Sequence, residues 1–296
     1  MSKKEQTEQM TRGPGFVAAL DQSGGSTPKA LKLYGVDGSA YNGDQEMFDL
    51  IHEMRCRIMQ SPAFTGNKVI GAILFENTME REVGGRPTAE YLWNDRRIVP
   101  FLKVDKGLAD DKDDVQLMKP MPELDILLKK ATTAGIFGTK MRSVINGANA
   151  TGISENVAQQ FDVGKQILNH DLTPIIEPEV NINIDDKAEA EEILLEKIMM
   201  QLDTLTEEQN VMLKLTLPEK INLYSPVISH ARVIRVVALS GGYTREESNR
   251  RLLANTGMTA SFSRALTEGL SAHQSDQDFN EMLDQTISEI YVASVS

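Results

Sequence analysis

The sequence contains a single cysteine, Cys56, among 296 residues. One thiol can neither form an internal disulfide nor supply a zinc site built from several cysteines. Such scarcity is typical of a protein from a reducing compartment, and we interpret Cys56 as a small, buried apolar residue. The sequence therefore predicts a fold that needs no disulfide.

Long apolar runs and an excess of basic residues are missing as well. No run approaches the roughly 18 residues of a membrane-spanning helix, and the stretch MSKKEQTEQMTRGPG lacks the apolar core of a secretory signal. The formal net charge of -12 argues against nucleic acid or an anionic membrane as a main partner. These features predict a cytoplasmic protein.

The chain instead alternates short apolar runs with longer amphipathic segments. Eight apolar runs occur, at residues 15–21, 69–76, 99–105, 135–142, 173–179, 211–216, 233–242 and 258–264. Apolar residues spaced three and four apart predict helices between and after them, at residues 44–59, 154–169, 186–203 and 276–294. No Gly/Ser or Pro linker divides the alternation.

This alternation predicts an α/β fold, a (β/α)8 TIM barrel that forms a single domain over residues 1–296, with helical extensions at both ends. A doubly wound open sheet is the weaker alternative. The glycine-rich turn DQSGGS, which follows the first run, lacks the G-x-G-x-x-G spacing of a dinucleotide site.

Charged residues collect where the apolar runs end. They are Asp21, Glu76, Lys103, Asp105, Lys140, Arg142, Glu177, Glu179, Lys214 and Arg264. The C-terminal ends of barrel strands converge on one mouth, where barrel enzymes carry out their chemistry. A charge at a strand end often only meets solvent, which is our interpretation of Glu76, and for Asp105 both interpretations stay open.

Lys214 is the most informative of these residues because it lies within the apolar run VMLKLT, where a protonated amine is costly to bury. Neighbouring cations and desolvation both lower the pKa of a lysine, so we expect one lysine of the mouth to act as a neutral nucleophile. Such an amine converts a carbonyl into an iminium, which stabilises a carbanion on the next carbon. Glu177 and Asp21 would supply the proton transfers for C–C bond cleavage.

Two groups of residues suggest anion sites beside this lysine. One follows the last two runs, where barrel enzymes commonly bind phosphate, and comprises Ser240, Gly241, Gly242, Ser263 and Arg264. The other comprises Ser23, Ser26, Lys103 and Arg142. Two anion sites around a carbonyl-trapping lysine predict a bisphosphorylated sugar as substrate.

Seven motifs resemble those of the class I, Schiff-base fructose-1,6-bisphosphate aldolases, in particular their short bacterial branch. The motifs are AALDQSGGST, FLKVDKG, GTKMRS, PIIEPEVN, MLKLT, LSGG and SFSRAL. The resemblance implies a glycolytic or gluconeogenic lyase that reversibly cleaves D-fructose 1,6-bisphosphate to dihydroxyacetone phosphate and D-glyceraldehyde 3-phosphate. It implies neither a metal nor another cofactor.

The same resemblance implies roles for individual catalytic residues. Lys214 corresponds to the Schiff-base lysine and Glu177 to the principal acid/base. Asp21 corresponds to the aspartate that takes the proton from the C4 hydroxyl. Lys140 corresponds to a lysine that assists at the imine, and Glu179 to a second acid that supports the site.

For the substrate phosphates, the resemblance assigns Lys103 and Arg142 to the distal phosphate. It assigns Ser240, Gly241, Gly242 and Arg264 to the dihydroxyacetone phosphate end. Two positions depart from the longer eukaryotic members. Gln22 stands where they carry an acidic residue, and Tyr291 lies in a predicted helix, so it should not inherit the role of their C-terminal tyrosine.

Three alternatives are weaker. Transaldolases and deoxyribose-phosphate aldolases also use a lysine imine but need only one phosphate site. A metal-dependent aldolase is disfavoured because the histidines lie outside the predicted strand ends; these are His52, His170, His230 and His273. A non-catalytic sugar-phosphate sensor has no use for a buried amine beside Glu177. The sequence leaves open whether the chain forms a homo-oligomer.

Overall fold

The computed structural model describes residues 3–296 as buried strands that alternate with helices. The strands are β1 (Phe16–Leu20), β2 (Val69–Leu74), β3 (Glu82–Val83), β4 (Arg86–Pro87), β5 (Val99–Lys103), β6 (Val115–Gln116), β7 (Gly138–Ile145), β8 (Thr173–Val180), β9 (Val211–Thr216), β10 (Val233–Leu239) and β11 (Met258–Ala260). The helices are α1 (Lys3–Arg12), α2 (Thr27–Leu33), α3 (Gly43–Gln60), α4 (Glu76–Met79), α5 (Thr88–Glu90), α6 (Leu124–Thr133), α7 (Ala150–Leu168), α8 (Lys187–Leu202), α9 (Ser225–Ile228), α10 (Arg245–Leu253), α11 (Arg264–Thr267) and α12 (Asp276–Val295). A 3-10 turn lies at Gly38–Ala40 and a π-helical turn at Tyr91–Asp95.

Eight of the strands form a nearly closed parallel barrel. Their hydrogen-bonded order, β1-β2-β5-β7-β8-β9-β10-β11, follows the chain. The sheet returns to its first strand where the backbone amide of Ala19 donates to the carbonyl of Phe262, just beyond β11, at 3.1 Å. The predicted (β/α)8 TIM barrel is therefore confirmed. The short strand β6 pairs antiparallel with β7, and β3 and β4 form a separate hairpin.

Each of the eight predicted apolar runs overlaps one barrel strand, and two runs continue at least three residues past the end of their strand. Strand β10 ends at Leu239 rather than at Gly242, because Gly241 and Gly242 have φ angles of 57° and 124°, which a strand does not adopt. Strand β11 ends at Ala260 rather than at Arg264, because Ser263 has already turned to φ -105°, ψ -76° and begins α11. The residues that follow Leu239 and Ala260, which the sequence predicts as strand, therefore lie outside the strands at the mouth.

Side chains along each barrel strand alternate between the barrel interior and the surrounding helices. In β9, Leu213 and Leu215 pack in the large core shared with the helices, whereas Met212 belongs to the smaller apolar cluster of the interior. Lys214 shares the face of Met212 and lies two residues nearer the mouth. The apolar run thus carries a lysine because its alternation directs every second side chain into the barrel.

Helix α1 lies across the N-terminal end of the barrel. Met10 of this helix is fully buried within the interior cluster, together with Val17, Phe101 and Met212. The guanidinium of Arg235 in β10 donates to the carbonyls of Met10 at 2.6 Å and of Gly13 at 3.0 Å. These bonds satisfy carbonyls at the C-terminal end of α1 and hold the helix against the barrel.

Candidate active site

Inward-facing positions at the mouth carry charged side chains, contributed by neighbouring strands. Lys140 lies in β7, Glu177 in β8 and Lys214 in β9, while Asp21 directly follows β1. Each of these side chains is at most 10 % exposed. Parallel pairing brings the strands into register, so residues distant in sequence form one layer above the apolar interior.

These four groups form one connected set of ion pairs. Lys140 Nζ lies 2.7 Å from Asp21 Oδ2 and 3.0 Å from Glu177 Oε2. Lys214 Nζ lies 3.0 Å from Glu177 Oε1. Each carboxylate oxygen of Glu177 therefore contacts a different lysine.

The protonation of this set follows from its alternating charges. Burial lowers the pKa of Lys140, but the charges of Asp21, Glu177 and Asp105 outweigh burial and hold that pKa above its ordinary value. Burial raises the pKa of Asp21, yet Lys140 and Lys214 together hold it well below its usual range. Lys140 is therefore not the lysine with a lowered pKa that the sequence predicts, because carboxylates separate the cations.

A second layer of pairs lies beside the first. Arg142 Nε donates to the carboxylate of Glu179, and Lys103 Nζ lies 2.7 Å from Asp105 Oδ1. Asp105 also accepts from the backbone amides of Arg142 at 3.1 Å and Gly107 at 3.2 Å. Burial raises the pKa of Asp105, but Lys140 and Lys103 keep it below its ordinary value.

The mouth encloses a cavity of about 870 Å³. Its lining contains every site residue predicted from the sequence, namely Asp21, Ser23, Ser26, Lys103, Lys140, Arg142, Glu177, Glu179, Lys214, Ser240, Gly241, Gly242, Ser263 and Arg264. Glu76 lies outside the lining and pairs with Lys106 at 3.0 Å, which agrees with its interpretation as a solvent-facing charge.

The loop after β10 approaches Arg264 closely. A Cβ atom on Gly242 would lie 3.3 Å from Nη2 of Arg264, and one on Gly241 would lie 2.6 Å from Cγ2 of Ile182. Both glycines have positive φ angles, so their backbone conformation and the close contacts independently favour glycine. The loop thus exposes backbone amides beside a guanidinium, an arrangement suited to a phosphate.

The sequence does not assign two residues that shape the mouth. Asp105, for which it leaves both interpretations open, lines the cavity and holds Lys103. Arg55 is fully buried on the inner face of α3 and donates to Gln22. The sequence signal for Arg55 is its position on the apolar face of a predicted helix, which also carries Ile51 and Ile58.

Within the part of the chain that the structure describes, no cluster of three or more His, Cys, Asp or Glu side chains could hold a metal ion. The histidines make other contacts: His170 with Asp125, His230 with Asp203, and His52 and His273 with backbone carbonyls. No helix among residues 3–296 is both long and apolar enough to cross a membrane.

Comparison with known proteins identifies the family. Residues 3–233 match the family model described as fructose-bisphosphate aldolase class-I. The chain belongs to the class I fructose-bisphosphate aldolase family. The predicted family is thereby confirmed, and with it the predicted activity, that of a fructose-bisphosphate aldolase and hence a lyase.

Class I aldolases of two bacteria resemble the chain along nearly its whole length. The class 1 fructose-bisphosphate aldolase of Synechocystis is 59 % identical over 293 residues, which cover 99 % of this chain and 98 % of the relative. The class 1 fructose-bisphosphate aldolase of Porphyromonas gingivalis is 58 % identical over 292 residues and 99 % of each chain.

Among solved structures, the fructose-bisphosphate aldolase of Plasmodium falciparum matches with a TM-score of 0.80. The match covers 98 % of this chain and 94 % of the other, at 20 % sequence identity. At this identity the likeness supports the shared barrel fold. The similarity of fold thus extends well beyond the similarity of sequence.

Proposed function

We propose that this class I aldolase cleaves fructose 1,6-bisphosphate through an imine between Lys214 and the C2 carbonyl, within a catalytic domain that spans the chain. The observation that carries the proposal is the contact of the buried Lys214 amine with Glu177 at 3.0 Å, inside a cavity lined by further cations. An amine that is desolvated and held beside an acid/base group is the arrangement that imine formation requires.

The first step forms the imine. Glu177 takes one proton from the ammonium of Lys214, and the freed amine attacks C2 of the ketose. One further proton passes from the nitrogen to the carbonyl oxygen, and Glu177 returns its proton to the same oxygen, which leaves as water. The product is an iminium that still carries one proton on nitrogen.

The second step breaks the C3–C4 bond. Asp21, held as a carboxylate by Lys140, takes the proton of the C4 hydroxyl. C4 becomes the aldehyde carbon of glyceraldehyde 3-phosphate, and the bonding electrons move to C3 and neutralise the iminium as an enamine. The enamine then takes up one proton at C3, which balances the proton that Asp21 releases as it returns to a carboxylate, and water attacks C2. This releases dihydroxyacetone phosphate and restores Lys214.

Lys140 remains a cation throughout this sequence. Its amine holds both Asp21 and Glu177, and its raised pKa opposes deprotonation at neutral pH. Arg142, held by Glu179, and Lys103, held by Asp105, are assigned to the distal phosphate together with Ser23 and Ser26. The dihydroxyacetone phosphate end is assigned to Arg264, Ser263 and the loop of Ser240, Gly241 and Gly242.

Borohydride trapping tests the assignment of Lys214. Borohydride added to the protein with dihydroxyacetone phosphate should produce a reduced adduct in the intact mass, which peptide mapping should locate on Lys214. Lys214→Met should abolish both the adduct and turnover while its circular dichroism spectrum stays unchanged. Lys106→Met, at an exposed lysine outside the cavity, is the matched control and should retain both. An active Lys214→Met variant would refute the imine mechanism.

A further inference from the structure

A fully buried arginine lies beneath the rim of the cavity. Arg55 of α3 has no exposed surface, and among residues 3–296 it forms no ion pair with a carboxylate. Its guanidinium donates to Thr78 Oγ1 at 2.8 Å, to the carbonyl of Gln22 at 2.5 Å and to Gln22 Oε1 at 3.3 Å. Burial lowers the pKa of Arg55 to about 10, so the group stays protonated at neutral pH.

Arg55 determines which way the Gln22 amide faces. A guanidinium can only donate hydrogen bonds, so Gln22 must present its oxygen to Arg55. The amide nitrogen is then directed the opposite way, and Nε2 donates to Ser263 Oγ at 2.8 Å. The bonds form a directed chain from Arg55 through Gln22 to Ser263.

The direction of this chain decides what the Ser263 hydroxyl can do. Its oxygen accepts from Gln22, so its own proton is free for another acceptor, and among residues 3–296 the hydroxyl donates no hydrogen bond. Ser263 lines the cavity and precedes Arg264, whose guanidinium lies beside Gly242. An anion bound between Arg264 and this loop would be the acceptor.

We propose that Gln22, oriented by Arg55, is a positioning residue that holds the Ser263 hydroxyl as a hydrogen-bond donor to the phosphate of dihydroxyacetone phosphate. This inference rests on the proposed function. An acidic side chain in place of Gln22 would accept the hydroxyl proton of Ser263 and withdraw it from the phosphate. The neutral amide is therefore the feature that makes Ser263 part of the phosphate site.

Kinetics in the condensation direction separate this role from a general structural one, because only one of the two substrates uses the site. Gln22→Met should raise KM for dihydroxyacetone phosphate about tenfold, the effect of losing one hydrogen bond to a charged group. KM for glyceraldehyde 3-phosphate should not change. Ser263→Ala should have the same effect on this KM. Gln166→Met is the control and should leave both KM values unchanged, because the amide of Gln166 binds Asp125 outside the cavity.

The double variant Gln22→Met with Ser263→Ala tests whether Gln22 acts through Ser263. Its KM for dihydroxyacetone phosphate should equal that of Ser263→Ala alone, since the hydroxyl is already absent. Gln22→Glu, which keeps a partner for Arg55, is the second variant should the Met variant fold poorly, and it should also raise this KM. In the Ser263→Ala background, Gln22→Glu should raise this KM by a smaller factor than it does in the wild type. If the new carboxylate only repelled the phosphate, the factor would be the same in both backgrounds.

Two results would overturn the inference and leave the imine mechanism standing. One is an unchanged KM for dihydroxyacetone phosphate in both Gln22 variants. The other is fully additive effects of Gln22→Met and Ser263→Ala. If the unmodified protein instead formed no borohydride-reducible adduct on Lys214, the proposed function itself would fail.

Discussion

Lys214 Nζ and Glu177 Oε1 lie 3.0 Å apart in a layer that is almost closed to solvent. The second oxygen of the same carboxylate contacts Lys140 at an equal distance. In the proposed mechanism Lys214 supplies the reacting amine, while Lys140 carries the charge that balances Asp21 and Glu177. Removal of that second amine is therefore a direct test of the arrangement.

Lys140→Met should lower kcat by about a hundredfold or more, the size of a lost acid–base contribution. Lys140 is the largest favourable influence on the low pKa of Asp21. Without it that pKa rises, so the acidic limb of the pH–rate profile should move to higher pH. Steady-state rates between pH 4 and 8 measure this shift, with Lys106→Met as control. An unmoved acidic limb would show that Lys140 does not control Asp21.

The depressed pKa of Asp21 also predicts how stability depends on acid. Its ordinary value is 3.8, and its folded-state pKa lies well below that. The folded protein therefore binds fewer protons than the unfolded chain once the pH falls below about 4. The contribution of Asp21 is fully present above its ordinary pKa and is lost as the pH falls through the folded pKa.

Asp21→Asn should accordingly reduce the acid sensitivity of folding. Below pH 3.8 the unfolding free energy of the wild type should fall more steeply with decreasing pH than that of Asp21→Asn. The two slopes should differ by up to about 1.4 kcal/mol per pH unit, the limit for one titrating group. Urea unfolding at several pH values between 2.5 and 6 measures both slopes. Identical slopes for the two proteins would mean that Asp21 has an ordinary pKa in the folded state.

Gly241→Ala tests the loop after β10. The φ angle of 57° disfavours a side chain by roughly 1–2 kcal/mol, and the added Cβ would meet Ile182 at 2.6 Å. We expect lower stability and a higher KM for dihydroxyacetone phosphate, measured by thermal unfolding and condensation kinetics. Gly38→Ala is the control, since its Cβ would meet only Tyr41 Oη at 4.0 Å. Equal behaviour of the two variants would contradict the proposed role of the loop.

Lys187 provides a stability test outside the cavity. Its amine lies 2.5 Å from Glu191, which has no exposed surface, and 2.9 Å from the carbonyl of Leu217. Lys187→Met should lower the unfolding free energy by about 3–5 kcal/mol because Glu191 stays buried without its cation. The double variant with Glu191→Leu should recover most of this loss. Urea denaturation measures both, and a double variant no more stable than the single one would refute the explanation.

Removal of metal ions provides a test of another kind. The iminium supplies the electrophile in the proposed reaction, so no metal is needed to polarise the carbonyl. Activity should be the same before and after prolonged dialysis against EDTA. Loss of activity on dialysis and its return with a divalent cation would show that a metal takes part. The absence of a cofactor and the cytoplasmic location stay predictions.

The fold and the cavity lining could be predicted from sequence because both depend on local pattern. Alternation within runs such as residues 211–216 indicates which side chains face the barrel interior, and parallel strands bring their C-terminal ends together. The ends of β10 and β11 could not be located by hydropathy, because backbone torsions at Gly241 and Ser263 end these strands while the sequence remains strand-like.

The charge state of the site depended on contacts that no local pattern contains. Lysines and carboxylates alternate in space, so Lys140 has a raised pKa although the sequence suggested a crowd of cations. The contact of Gln22 with Ser263 joins residues 241 positions apart, and that with Arg55 spans 33 positions. Only the closed barrel brings these groups together.

The apolar side chains beneath Lys214 also determine the order in which the products leave and water enters. Met212, Phe101 and their neighbours fill the barrel interior on the side away from the mouth, where α1 lies across the other end. In the proposed reaction the aldehyde is freed while the remaining three carbons are still joined to Lys214. The water that hydrolyses this adduct arrives by the route along which the aldehyde departs. In this mechanism glyceraldehyde 3-phosphate therefore leaves before dihydroxyacetone phosphate is released.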